Sequence, residues 1–369
     1  MDARSWRVTA HHAEHPPLGD TVGWLQPTKA TLPTVHDDIP AVDRAGRRWR
    51  ATRYAVGWLC AIAAVYLAAI NLDWSQVLYA FERASLVWTP VAILSVLLTL
   101  CLVTLRWGLV VGGETAVTAP LPRSMRWGVL WNSVVLGQAV NILVPLRFGE
   151  GARLIMTSRG LHVPVGRVMV SLALERAFDI AAFATIVATL VLGGLLPQAF
   201  RGVVPAAATL TVATIGAALL FVRFLPSMLA WLRTHLSLMA RATAWLEKQE
   251  SAMREGWADM TQRHQLGKIA MLTAAIPITA AATNYLVFRS FDLPVPAVTA
   301  LVLLVVLQIG TAVVSVPGNV GVFHYLTVVT LAAWDVPQPT AVAVAIVLHI
   351  VSLGPKVVLA AFSARNRLS

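Results

Sequence analysis

Charge is scarce in this chain, and cysteine is scarcer. Only 13% of the 369 residues are charged and two are cysteine, whereas a soluble domain devotes about a quarter of its residues to charge. That shortage excludes an ordinary soluble fold. Cys60 and Cys101 both fall inside apolar runs, so neither a disulfide framework nor a thiol metal site is expected, and both read as packing residues. No GxxxxGK[ST] loop occurs, which removes the phosphate cradle of an ATP-driven pump, and no cofactor is expected. The first 43 residues lack an apolar h-region and are rich in Pro, His, Thr and Asp. They read as a disordered cytoplasmic tail, 1–43, with no cleavable signal peptide. His11, His12, Glu14 and His15 suggest a metal site, but prolines surround them and no helix would fix them; such tracts are usually compositional.

What the chain has in excess is apolar sequence: 57% of residues, with a mean hydropathy of +0.70. A bilayer core about 30 Å thick takes roughly 20 apolar residues per helix, and stretches of that kind recur from Tyr54 onward. The fold class is therefore an all-α polytopic membrane protein of about seven to nine transmembrane helices, with one or two re-entrant or broken helices. The net charge of +11 collects between the apolar runs, as the positive-inside rule expects. Its partners are then anionic lipid head groups, and no nucleic acid is expected.

Arg44, Arg47, Arg48, Arg50 and Arg53 precede the first span, Tyr54 to Leu72, which places the amino terminus inside. Leu86 to Val111 returns, and Arg106 near its inner end is expected to snorkel to the surface. Trp127 to Pro145 should then cross outward, yet Arg147, Arg153, Arg159 and Arg167 follow it and belong inside. The repair is a segment near 127–160 that enters and returns, which is tolerated only where protein or a water-filled cavity covers the backbone. Val168 to Leu192 and Val203 to Phe221 complete a first half, 44–224. A polar connector, 225–267, keeps a helical spacing of apolar residues and is either a surface-lying amphipathic helix or a packed linker. The second half, 268–362, has spans at Ile269 to Phe288, Val298 to Val316 and Ala341 to Phe362, with a re-entrant piece or short span near 317–334. A cytoplasmic tail, 363–369, ends the chain. Pro145 and Pro317 each follow an apolar helix and precede glycine, the plan of an inverted repeat around a midplane site or a chance match.

Polar groups gather at the first break: Asn141, Arg147, Glu150 and Arg153 surround Pro145, Gly149 and Gly151. Proline removes a donor and glycine loosens φ, which frees backbone groups, and Arg presents a fork suited to phosphate or carboxylate. This stretch reads either as an anionic head-group site or as a salt-bridged interfacial loop. Glu175 and Asp179 lie one helical turn apart with Arg176 between them, and about 12 Å of helix separates Arg167 from Glu175. Charges at that depth cost about 2.5 to 3.5 kcal/mol each on insertion scales; they are functional or a structural ion pair. His324 and His349 lie in apolar runs, as a proton relay or as packing histidines.

With these residues in view, the chain resembles the flippase-like membrane family related to the transmembrane region of lysylphosphatidylglycerol synthases, over about Tyr54 to Phe362. The family's order of Asn, Pro, Arg, Gly-Glu and Arg is matched by Asn141, Pro145, Arg147, Gly149, Glu150 and Arg153, and its Glu-Arg-x-x-Asp segment by Glu175, Arg176 and Asp179. Its Pro-Gly-Gly-x-Gly stretch with a following Glu becomes Pro317, Gly318, Asn319, Val320, Gly321 and His324, so the carboxylate is missing. The family often has Arg in the last span, where His349 stands.

The resemblance implies handling of lipid or lipid-linked molecules. The expected function is a flippase or transporter of an anionic phospholipid or lipid-linked substrate in the cell membrane, with both termini cytoplasmic. Its substrate-binding residues would be Asn141, Arg147, Glu150, Arg153, Glu175, Arg176, Asp179, Asn319 and His324. No segment is long and polar enough for an aminoacyl-transfer domain, so no lysyl transfer and no enzyme activity is expected. The rivals are an intramembrane lipid-carrier transferase and a non-transporting partner of a lipid-modifying enzyme.

Overall fold

A computed structural model describes residues 59 and 62–365, apart from 71, 86, 113–121, 144–147, most of 203–247, 250, 259–262 and 314–315. Several sequence expectations fall outside those residues: the tail 1–43, the start of the first span, Pro145, Arg147, nearly all of Val203 to Phe221 and most of the connector 225–267. The described residues belong to one compact unit, residues 51–369. No strand occurs among them.

Helix α1 (Trp74–Arg83) starts at Asp73, whose carboxylate accepts hydrogen bonds from the Ser75 backbone N–H at 2.9 Å and the Ser75 hydroxyl at 2.7 Å. This is an N-cap that satisfies donors the first helical turn would otherwise leave open. The longer helices that follow are α2 (Trp88–Val111), α3 (Arg123–Leu143), α4 (Gly149–Leu161), α5 (Val165–Leu192), α6 (Arg263–Ser290), α7 (Val298–Val313), α8 (Val322–Ala332) and α9 (Gln338–Arg365). Among them α2, α9 and the Gln265–Ser290 part of α6 are long and apolar enough to cross a bilayer. Helix α5 is as long as α9, at 28 residues, but its middle carries Glu175, Arg176 and Asp179. With this composition the chain is an all-α membrane protein, and the charges of α5 must be answered inside the bundle.

The element order runs twice through one plan: a long helix, two shorter helices on either side of a break, and another long helix. In the first pass these are α2, α3 with α4, and α5; in the second, α6, α7 with α8, and α9. The two leading helices, α2 and α6, pack along each other. Small polar side chains join them, with the Ser95 hydroxyl donating to the Thr279 carbonyl at 2.8 Å and the Thr99 hydroxyl to the Thr279 hydroxyl at 2.9 Å. Such residues let helix backbones approach closely where lipid leaves no hydrophobic drive between helices.

The shorter helices fold back on each other as antiparallel hairpins. Gly149 sits against Gly137 and Asn141, while Gly160 sits against Val129 further along the same pair. A side chain at Gly149 would run into the Gly137 carbonyl, so the crossing of α3 and α4 depends on glycine at that point. In the second hairpin Gly310 of α7 lies against the Leu326 side chain of α8. Pro317–Asn319 makes a single 3-10 turn between these helices, with Gly318 at φ 65°, Asn319 at 54° and Gly321 at 84°. The main apolar core surrounds this second hairpin, with Phe288, Leu303, Leu331, Val344 and Leu348 all buried.

Candidate functional site

Both breaks expose backbone groups, and in both a side chain from elsewhere meets one of them. At the first, the Asn141 side-chain oxygen accepts from the Gly149 N–H at 2.8 Å, so α3 supplies the cap that Phe148, the N-cap residue, does not. At the second, His349 Nε2 lies 2.8 Å from the Gly318 carbonyl and donates to it. His324 Nδ1 accepts a long hydrogen bond of 3.4 Å from the Gly321 N–H. The two imidazoles meet nearly perpendicular, with centroids 4.8 Å apart, and Phe323 stacks on His349 at 4.7 Å. Backbone groups freed inside a helix bundle have to be paired within the protein, and these contacts do so for Gly149, Gly318 and Gly321.

Beside the first break, six charged side chains alternate in sign. Arg153 on α4 meets Glu175 on α5 through both guanidinium nitrogens, at 2.8 and 3.2 Å. Glu175 also takes Arg106 of α2 at 3.1 Å, and the same nitrogen of Arg106 reaches Asp179 at 2.6 Å. Asp179 pairs with Arg176 at 3.2 Å, and Arg176 pairs in turn with Glu150. The chain of contacts thus begins and ends on α4 and sums to zero charge. Arg106, Glu175 and Arg153 are 2%, 3% and 7% exposed, so water contributes little to their stabilisation. Each buried charge instead has an opposite charge at contact distance, which offsets the several kcal/mol of desolvation an unpaired ion would carry. Trp107 completes the packing: its ring lies 3.8 Å from the Arg153 guanidinium and its Nε1 donates to the Thr157 hydroxyl at 3.2 Å, a cation–π contact in a desolvated setting.

A cavity of about 410 Å³ opens against this ring of charges. Asn141, Glu150, Arg153, Glu175, Arg176, Asp179 and Asn319 all line it, so residues from both breaks face one space. His324 is not on its wall; it stands behind the second break, against His349. Arg147 lies outside the described residues. Sequence reasoning missed Trp107 and Lys356, and it misplaced Arg106. That arginine does not snorkel: it is buried at the centre of the charged ring and also donates to the Thr273 hydroxyl of α6 at 3.3 Å. A second hollow, about 460 Å³ and walled by apolar side chains of α5 and α6, shares Ala182, Thr273 and Pro277 with the first.

Helical hairpins closed around a buried, internally paired charge cluster define a polytopic membrane protein with a polar site inside its helix bundle. The chain belongs to the family described as the lysylphosphatidylglycerol synthase TM region, whose sequence profile matches residues 54–360. No curated protein and no solved structure matches it.

Proposed function

We propose that the protein is a lipid flippase or transporter that moves an anionic phospholipid or a lipid-linked molecule between leaflets of the cell membrane. The observation that carries this reading is the shared wall of the two hollows. A charged cavity for a head group adjoins an apolar groove between α5 and α6 that suits an acyl chain, and Ala182, Thr273 and Pro277 border both. An amphipathic ligand needs that combination, and a small polar solute would not need the groove. The family's name, which ties it to lysylphosphatidylglycerol synthases, supports a lipid as the molecule handled. In this reading the two hairpins are re-entrant, the termini are cytoplasmic, and the protein transports without transforming its substrate.

Purified protein in liposomes, with labelled anionic, zwitterionic and sugar-linked lipids in one leaflet, tests the reading. Head-group-selective exchange is expected for the wild type and its loss for Glu150→Gln, which uncouples Arg176 at the cavity wall. Folded wild-type protein that exchanges none of these lipids would turn the reading toward a docking partner or a transferase.

A further inference from the structure

Two of the three arginines that the sequence assigns to an anion site, Arg153 and Arg176, are already occupied, and the third, Arg147, lies outside the described residues. Arg106, Arg153 and Arg176 each meet at least one carboxylate, and the three carboxylates Glu150, Glu175 and Asp179 are shared among them. A further anion at Arg106 or Arg153 would have to displace the buried Glu175, leaving it unpaired in a low-dielectric site, a substitution with a large electrostatic cost, and at Arg176 it would compete with Glu150 and Asp179.

Lys356 differs from them. It lies on α9 and lines the same cavity, and no carboxylate pairs with it among the described residues. Among the described residues the cavity wall therefore carries four cations and three carboxylates, with the excess positive charge at Lys356. Nine residues separate it from Arg365 at the end of α9, about 13 Å of helix, which is beyond the reach of a lysine side chain to the helix end. The same cavity is also lined by Gln308 and Asn319, which are uncharged and able to donate hydrogen bonds.

We infer that Lys356 is the seat of the ligand's negative charge, and that the ligand carries a singly charged oxyanion with the chemistry of a phosphodiester. The inference rests on the lipid-handling reading and narrows it. An ammonium offers three donors and no acceptor and binds phosphate as a point charge. One anion at this position balances the described charges of the cavity wall, whereas a dianion would overshoot that balance and a neutral lipid would leave the lysine unanswered. The paired ring then shapes and polarises the cavity without binding the anion itself.

The test measures binding separately from transport. Full-length protein in detergent is titrated with labelled phosphatidylglycerol and, separately, with diacylglycerol, for the wild type, Lys356→Gln, Lys356→Met and Lys356→Arg. Thermal unfolding in the same detergent verifies that each variant is folded. Phosphatidylglycerol should bind in preference to diacylglycerol. The Gln and Met variants should weaken that binding by roughly tenfold or more, the scale of a lost charge-assisted hydrogen bond, and Arg should retain most of it. Unchanged phosphatidylglycerol binding in folded Lys356→Gln or Lys356→Met would overturn the assignment, as would a wild type that does not distinguish the two lipids. Inorganic phosphate added at millimolar concentration identifies the source of the anion: displacement of the lipid means that the free oxyanion suffices, and no displacement means that the lipid body is required. Lysine-dependent binding without leaflet exchange would leave the seat standing and remove the transport reading.

Discussion

Asn141 does for α4 what a capping serine does for a soluble helix, but from the neighbouring helix, by accepting the Gly149 N–H. Asn141→Ala should lower stability by about 1 to 3 kcal/mol, the combined scale of a lost cap and an unpaired buried donor. Asn141→Asp, which keeps the acceptor, should recover part of it; thermal unfolding in detergent measures both. The charged ring predicts unequal costs. Removing the charge of Glu175, which two arginines share at 3% exposure, should cost about 3 to 5 kcal/mol. Glu150→Gln should cost less, because the Glu150 and Arg176 side chains retain 27% and 42% of their exposure and solvent screens such a pair. Outside the membrane-spanning segments, hydrogen bonds from Ser75 hold the Asp73 carboxyl below the usual aspartate value. A carboxyl whose pKa is depressed by folding stabilises the fold above its unfolded value and loses that contribution as pH falls through the folded one. Acidification should therefore fray the first turn of α1, seen as faster amide exchange at Gln76 and Val77, and Asp73→Asn should flatten that pH response.

At the scale of elements, the two hairpins are where glycine placement matters most, and the neighbouring glycines Gly149 and Gly151 behave oppositely. Gly149→Ala drives a methyl group into the Gly137 carbonyl and should separate α3 from α4, while Gly151→Ala meets nothing within 4 Å. The second change should be neutral or stabilising by up to about 1 kcal/mol, the helix-propensity gain of alanine. The unfolding temperature should therefore fall for Gly149→Ala and hold or rise for Gly151→Ala. The breaks themselves were legible in the sequence, because Pro and Gly interrupt otherwise apolar runs and no other signal explains them. Most of the ring was also legible: Glu150, Arg153, Glu175, Arg176 and Asp179 stand out as charges among apolar neighbours. Arg106 was not, since five residues from the end of α2 is about 8 Å, a distance at which lysine and arginine ordinarily reach the surface. Only its partners on α5, distant in sequence, show that it turns inward. Lys356 carried the plainer signal of a lone cation inside an apolar span, and the run of spans around it drew attention away.

Across the whole molecule, composition alone announces a membrane protein, and the repeated order of long helix, hairpin and long helix gives substance to the proline–glycine symmetry of the sequence. At the second break His324 and His349, from separate helices, lie against each other. Two imidazoles in contact can support the second break without a formal charge pair, so His349→Phe should loosen the Gly318 turn while leaving the charged ring intact, separable by local amide exchange. The ring also bears on how the protein is made. Its charges arrive on three separate stretches of chain: one on α2, two on α4 and three on α5. None of these charges is stable in lipid until the others are present. A truncation before α5 is therefore expected to leave Arg106 and Arg153 without their shared carboxylate and to weaken the membrane integration of α4, measurable as a lower yield of integrated chain.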